Sequence, residues 1–307
     1  MATDSDSIVF AGGWVDANSF ERAISNKELH EDSVRDVRFV FPPGCKIMVD
    51  AGVRLLSMAN QLDHLRKVVT LEFADGILGT MGYLNRMGFF DSLLPGVAVA
   101  PDRPPFGADP FRGQSSALVE IASISPTSRD RDHDLPGRLA ETLEENVPKR
   151  SGTKALGQAA FTVFAELIDN IHNHSRTPLP GCVALQVYKR GGRVKVVVSD
   201  SGVGILETLK PVISAVSPLL AQYSDTDLIV EAFRRGVSRH GGGRGCGLKA
   251  CADHALKFKA ELDVRLPRCR VHLLPSADGY RPNIAFCSDN LPLLWGTHVA
   301  FDFRLDM

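Results

Sequence analysis

Hydrophobic positions along the first third of the chain change period twice. "VRFVFP" (37–42) alternates as a strand does, "DAGVRLLSMANQLDHL" (50–65) repeats as a helix does, and "KVVTLEF" (67–73) returns to strand character. Val53, Leu56, Ala59, Leu62 and Leu65 share one side of that helix, so the spacing predicts an amphipathic helix within a βαβ unit. "GILGTMGYLNRMGFFDSLL" predicts a second helix ending near Gly88. The proline- and glycine-rich "PGVAVAPDRPPFGADPFRG" then marks a boundary. Residues 1–32 are read as an amino-terminal extension whose "IVFAGGWV" could pair as an edge strand, and 33–110 as a small α/β domain.

Residues 111–150 combine the short apolar run "ALVEIASI" with the helix-like "RLAETLEENV", which suggests a linker carrying one helix. From Ser151 the organisation changes. A long helix is expected over 153–174, then strands "CVALQVYK" and "RVKVVVSD" about Gly191-Gly192, the signature of a hairpin with a type I′ turn. Residues 151–307 are read as a second domain, α/β overall and built as an α+β sandwich.

Composition adds exclusions. The 307 residues are 44% hydrophobic, as in a globular protein, and 35 Lys and Arg against 36 Asp and Glu leave a formal charge of -1. No global field steers the chain to nucleic acid or to an anionic membrane. With no basic-then-apolar leader and no run of eighteen apolar residues, a cytoplasmic location without membrane contact is expected. The six cysteines lack zinc-finger spacing and read as free thiols.

Three segments carry chemistry. On the helix 153–174, Leu156, Ala160, Val163, Leu167, Ile168 and Ile171 form an apolar stripe, while Glu166, Asn170 and Asn173 share the other side at i, i+4 and i+7. "DSGVGI" puts Asp200 at a strand end, followed by Gly202 and Gly204: an acceptor for an exocyclic amine beside backbone that a flat ligand can approach. "GGGRGCGL" (241–248) opens a helix, offering free amides and a helix dipole to phosphate. It is not a P-loop, since Leu248 follows Gly247. Nor is it a dinucleotide fingerprint, because no strand precedes it.

Together, "ELIDN" with Glu166 and Asn170, "DSGVGI", "GGGRGCGL" and Gly296-Thr297 in "WGTHVAFDF" resemble in order and spacing the four boxes of the GHKL ATPases, the Bergerat-fold group that includes gyrase, the heat-shock chaperone and histidine kinases. The resemblance covers about 151–307 and implies a two-layer sandwich with a mixed or antiparallel sheet. It further implies bound ATP and Mg²⁺. Asn170 would ligate the metal and Glu166 would act as general base. Asp200 would read adenine with Thr297 in the same network, and Gly202 and Gly204 would shape the pocket. Gly243, Arg244, Gly245, Gly247 and Leu248 would line the phosphate loop. Residues 206–240 would form a lid, with Arg234, Arg235, Arg239 and His240 near the polyphosphate. Asn173 stands where several of these ATPases carry aspartate, and Cys246 sits inside the glycine loop.

His174 in "HSRTPL" is similar to a kinase phospho-acceptor. It falls on the helix of Glu166 and Asn170, however, and a phospho-accepting histidine belongs on a separate upstream hairpin. The stretch "KVVTLEFADGILGTMGYLNRMGFF" resembles the central strand and next helix of a STAS-type domain, with Thr80 nearest to that family's phosphorylated hydroxyl. The expected function is a nucleotide-dependent switch with slow hydrolysis, acting on a protein partner or a second copy. A serine/threonine kinase and a nucleotide-binding scaffold are the alternatives.

Overall fold

The computed structural model describes residues 5–115, 118–125, 132–146, 153–174, 176–216, 220–235, 247–277 and 279–304. The amino-terminal part contains β1 (Ser5–Val9), β2 (Trp14–Val15), α1 (Ala17–Ile24), β3 (Asp36–Phe41), β4 (Lys46–Ile47), α2 (Val49–His64), β5 (Val68–Phe73), α3 (Thr80–Arg86), α4 (Phe89–Ser92) and β6 (Ala98–Ala100). Strands β1, β3, β5 and β6 pair in that order, all parallel, and β2 pairs with β4. Val37, Phe39 and Phe41 alternate inward with Val69, Leu71 and Phe73. Arg38 and Glu72 face outward and form an ion pair at 2.9 Å.

The segment read as an extension is part of this layer. β1 forms its edge, and Phe20 and Ile24 of α1 belong to its core, with α1 packed against α2 and β1.

The second part continues with β7 (Leu118–Ile124), α5 (Leu135–Asn146), α6 (Thr153–His174), β8 (Gly181–Tyr188), β9 (Arg193–Ser199), α7 (Ile205–Val216), α8 (Asp225–Arg235), α9 (Gly247–Lys257), β10 (Glu261–Arg265), β11 (Arg270–Ser276), β12 (Gly279–Pro282) and β13 (His298–Arg304). Its seven-stranded antiparallel sheet runs β12-β11-β10-β13-β9-β8-β7. The expected linker therefore also supplies a sheet strand, β7. The β8–β9 hairpin forms as expected, with a different turn: residues 189–192 make it, with a 3₁₀ turn over Lys189–Gly191, and only Gly192 of the glycine pair is left-handed, at φ 56°.

The sheet is buried on both faces, and the two faces differ. Val194, Val196 and Val198 of β9, with Val299, Phe301 and Phe303 of β13, pack on the layer of α5, α6, α8 and α9. The opposite face offers small or polar side chains, among them Cys182, Ala184, Val197, Ser199 and Ala300. Helix α2 lies against β8 and β9 on that face and against β5 on its other side.

This overturns the amphipathic reading of α2, since every residue from Val49 to Leu62 is buried. Its polar stripe, Asp50, Arg54, Ser57 and Gln61 at spacings of four, three and four, engages the antiparallel sheet. Asp50 meets Lys195 at 2.5 Å, Arg54 bonds Asp263, Ser57 lies 3.1 Å from Ser199, and Gln61 bonds Ser201 and Trp295. Arg54, 1% exposed, also donates to Glu21 of α1 at 2.9 Å, and the same Glu21 oxygen accepts from the fully buried Arg265 at 3.0 Å.

Burial alone would raise the Asp263 carboxyl. Arg54 and Arg270 reverse this and hold it well below the usual range. Its stabilising share is present above about pH 4 and lost on acidification. Arg54→Met, which removes one of two cationic partners from each of Glu21 and Asp263 and leaves Arg265 and Arg270 in place, is expected to lower the unfolding free energy by about 2–3 kcal/mol in a urea titration at neutral pH.

Candidate functional site

Just past the paired ladder of β9 and β13, the Asp200 amide donates to the Thr297 carbonyl at 3.0 Å. Asp200 stays buried there because its carboxylate finds local donors. The Gly202 amide donates to Oδ1 at 2.7 Å and the Thr297 amide to Oδ2 at 3.3 Å. The Thr297 hydroxyl in turn accepts from the Ile205 amide at 3.0 Å, at the start of α7. Burial pushes the Asp200 carboxyl up to about 6, against the pull of those donors.

Gly296 makes the approach possible. At φ 98° it occupies the left-handed region, and a Cβ there would lie 1.9 Å from the Asp200 carbonyl oxygen. Gly204, at φ 81°, is packed against Pro267 in the same way, at 2.7 Å.

Asp200, Thr297 and Gly204 open onto a cavity of about 50 Å³. By the measure of about 10–15 Å³ per enclosed water, this is room for roughly four waters, the bulk of one flat heterocycle. Its walls are apolar, from Ile171, Val198, Phe233, Leu248, Val264 and Val299, and Asn170 and Thr208 add polar atoms. Asn170 is half-buried on α6. Glu166, one turn earlier and also half-buried, lies outside the cavity lining and within electrostatic reach of Cys251 on α9. The Cys251 thiol approaches the Val163 carbonyl at 3.8 Å, which fixes α9 across the same stretch of α6. Helix α9 begins at Gly247, so its amino-terminal amides lie beside Leu248 at the cavity wall.

Of the residues singled out from sequence, Asn170, Asp200, Gly204, Leu248 and Thr297 meet at this cavity, and Gly202 caps the Asp200 carboxylate. Gly243, Arg244, Gly245, Cys246, Arg239 and His240 lie outside the described residues, as do the side chains of Asn173, His174 and Arg235. Arg234 does not line the cavity; it pairs with Glu231 at 3.0 Å. Thr80 is buried at the start of α3, its hydroxyl donating to the Cys45 carbonyl at 2.5 Å.

Sequence reasoning missed Thr208 and Gln61. Thr208 sits one turn into α7, with its hydroxyl on the Ile205 carbonyl at 2.7 Å. Its only signal was position, eight residues after Asp200. Gln61 was visible as a polar residue amid the apolar positions of α2, and nothing local shows which layer it meets.

The family model for histidine kinase-, DNA gyrase B-, and HSP90-like ATPases matches residues 156–303, from the first turns of α6 to the end of β13. The match supports a GHKL-type, ATP-binding ATPase or kinase-like role for this half of the chain. No curated protein matches the chain. Among the described residues no helix is long and apolar enough to cross a membrane.

Gly296→Ala is expected to cost about 2 kcal/mol or more in thermal or denaturant unfolding, since it combines a left-handed backbone with a clash against Asp200. Gly191→Ala, at an open turn position whose φ is not left-handed, should cost less than about 0.5 kcal/mol in the same assay.

Proposed function

We propose that residues 151–307 bind Mg-ATP at this cavity and act as a nucleotide-dependent switch with slow hydrolysis. One observation carries the reading: a buried carboxylate, locked by Gly202 and Thr297, faces an apolar slot with the bulk of a single base. Such a group can accept a hydrogen bond from the exocyclic amine of adenine, while the apolar walls cover the ring faces. The ribose and phosphates then point towards Asn170 and the start of α9, where helix amides favour negative charge.

The donor set suits a magnesium ion only with help from the phosphates. Asn170 supplies one neutral oxygen, and Mg²⁺ commonly takes few protein ligands beside phosphate and water. When bound, the cation would offset phosphate charge and polarise the terminal phosphoryl group. Glu166, one helical turn from Asn170, would accept a proton from the attacking water as general base. Its half-exposed position near α9 leaves room for that water.

Closure over the phosphates would make the two nucleotide states differ in shape, which a protein partner or second copy could sense; within the expected lid span, α7 and α8 are themselves packed into the core. The amino-terminal layer, STAS-like in this reading, would be its first contact. A hydroxyl kinase is the second reading. Thr80 gives it little support as an internal acceptor, because its buried hydroxyl is engaged by the Cys45 carbonyl.

With γ-labelled ATP and Mg²⁺, free labelled phosphate should form slowly and fall at least about a hundredfold in Glu166→Ala, the usual scale for a lost general base. Acid-stable label on the polypeptide would instead favour the kinase. Asn170→Ala should weaken Mg-ATP binding in a calorimetric titration, and unchanged binding would remove the metal role. Because the ionised Asp200 accepts from adenine more strongly than the neutral acid, ATP affinity should fall as pH drops through about 6. That pH step should vanish in Asp200→Asn.

A further inference from the structure

The carboxy-terminal end of α2 reaches the segments that carry Asp200 and Thr297. Gln61 is completely buried there, and each of its hydrogen-bonding positions is used. Its amide nitrogen donates to the Ser201 hydroxyl at 3.0 Å and to the Trp295 carbonyl at 3.0 Å, and its oxygen accepts from the Trp295 amide at 2.9 Å. The fourth contact is His30 Nε2, 3.1 Å from the same oxygen. Since that oxygen can only accept, His30 carries its proton on Nε2.

Ser201 follows Asp200, and Trp295 stands two residues before Thr297. The β9–β13 ladder has ended at this point, so Gln61 acts as an added rung between the two segments that continue from it.

We propose that Gln61, from the amino-terminal layer, is a positioning residue of the nucleotide pocket, setting the spacing between the segments that carry Asp200 and Thr297. The inference rests on the adenine-reading role of Asp200 and adds that the pocket is completed by a helix outside the matched ATPase region.

A second chain of contacts reinforces the first. His298 Nε2 lies 3.0 Å from the Trp295 carbonyl and must donate to it, which leaves Nδ1 to accept from Ser199 Oγ at 2.6 Å. Ser199 is then free to accept from Ser57 of α2 at 3.1 Å. The order requires a neutral His298. Burial and the charges of Arg54 and Arg265 hold it in that form.

Displacing α2 breaks the first chain at Trp295 and Ser201 and the second at the Ser57–Ser199 contact, and Gly296 transmits the shift because it is packed against Asp200. The coupling is reciprocal: a ligand that fixes the Asp200–Thr297 pair also fixes α2, and so the parallel sheet behind it.

The test uses the full chain and calorimetric titration with Mg-ATP and Mg-GTP. Gln61→Met keeps the volume and removes every hydrogen bond. It should weaken ATP about tenfold and narrow the ATP-over-GTP preference. A purely structural role would weaken both nucleotides alike and leave that preference intact.

Ser201→Ala, which removes one hydroxyl and leaves the packing in place, should reproduce part of the effect and add little in the double variant. Equal preference in wild type, Gln61→Met and Ser201→Ala overturns the positioning role while the nucleotide reading stands. Should Gln61→Met fail to fold, Ser201→Ala decides alone on the same criterion. A wild-type chain that binds neither nucleotide overturns the nucleotide reading, and the role of Gln61 with it.

Discussion

The structure depends on burying one helix on all sides. Helix α2 separates a parallel from an antiparallel sheet, and its polar stripe cannot be left without partners between them. Asp50, Arg54, Ser57 and Gln61 each find a group on the antiparallel sheet, and Arg54 joins Glu21 of α1 to Asp263 of β10. A buried ion pair adds little stability over apolar packing, but breaking one is costly. A network of this kind therefore fixes how the layers meet. An apolar α2 could slide along the small side chains of Cys182, Ala184, Val197 and Ala300. This one has a single register in which all of its charges are matched.

That constraint explains why the antiparallel sheet has two unlike faces. Towards α5, α6, α8 and α9 it presents large apolar residues that fill an ordinary core. Towards α2 it presents small residues that let the helix come close, interspersed with Lys195, Asp263, Arg265 and Asp302. The cavity opens on the first side, and Gln61, which bonds Ser201 and Trp295 beside Asp200 and Thr297, comes from the second. Asp200 and Thr297 lie where β9 and β13 separate, so the site needs support from both layers.

What the sequence made legible follows from how local each signal is. The helix over 153–174, the β8–β9 hairpin and the meeting of Asn170, Asp200, Gly204, Leu248 and Thr297 depend on periodicity and on boxes with strong local chemistry. The turn at Gly191-Gly192 departed from type I′ because the loop takes four residues and one left-handed glycine suffices. Residues 1–32 and 111–150 were read as outside the domains because β1 and β7 are short edge strands whose partners lie far along the chain. The hardest feature was α2. Its apolar residues at Val53, Leu56 and Leu62 predict one buried face correctly, but a polar stripe normally means solvent, and no property of 50–61 reveals that a second sheet covers it.

The same arrangement bears on how a nucleotide could be sensed. In a sandwich whose sheet has one free face, closure over the cavity would leave the far face unchanged. Here that face is occupied, and Gln61 with Trp295 and Ser201 forms a set of hydrogen bonds of ordinary length from a completely buried side chain. Such bonds tolerate little displacement before buried groups lose their partners. A shift of Asp200 or Thr297 must then be absorbed at Gly296, whose Cβ position is already filled by the Asp200 carbonyl, or be passed to α2. Gly296 is closely packed against Asp200, and under the proposed coupling the second route leads through α2 into the amino-terminal layer.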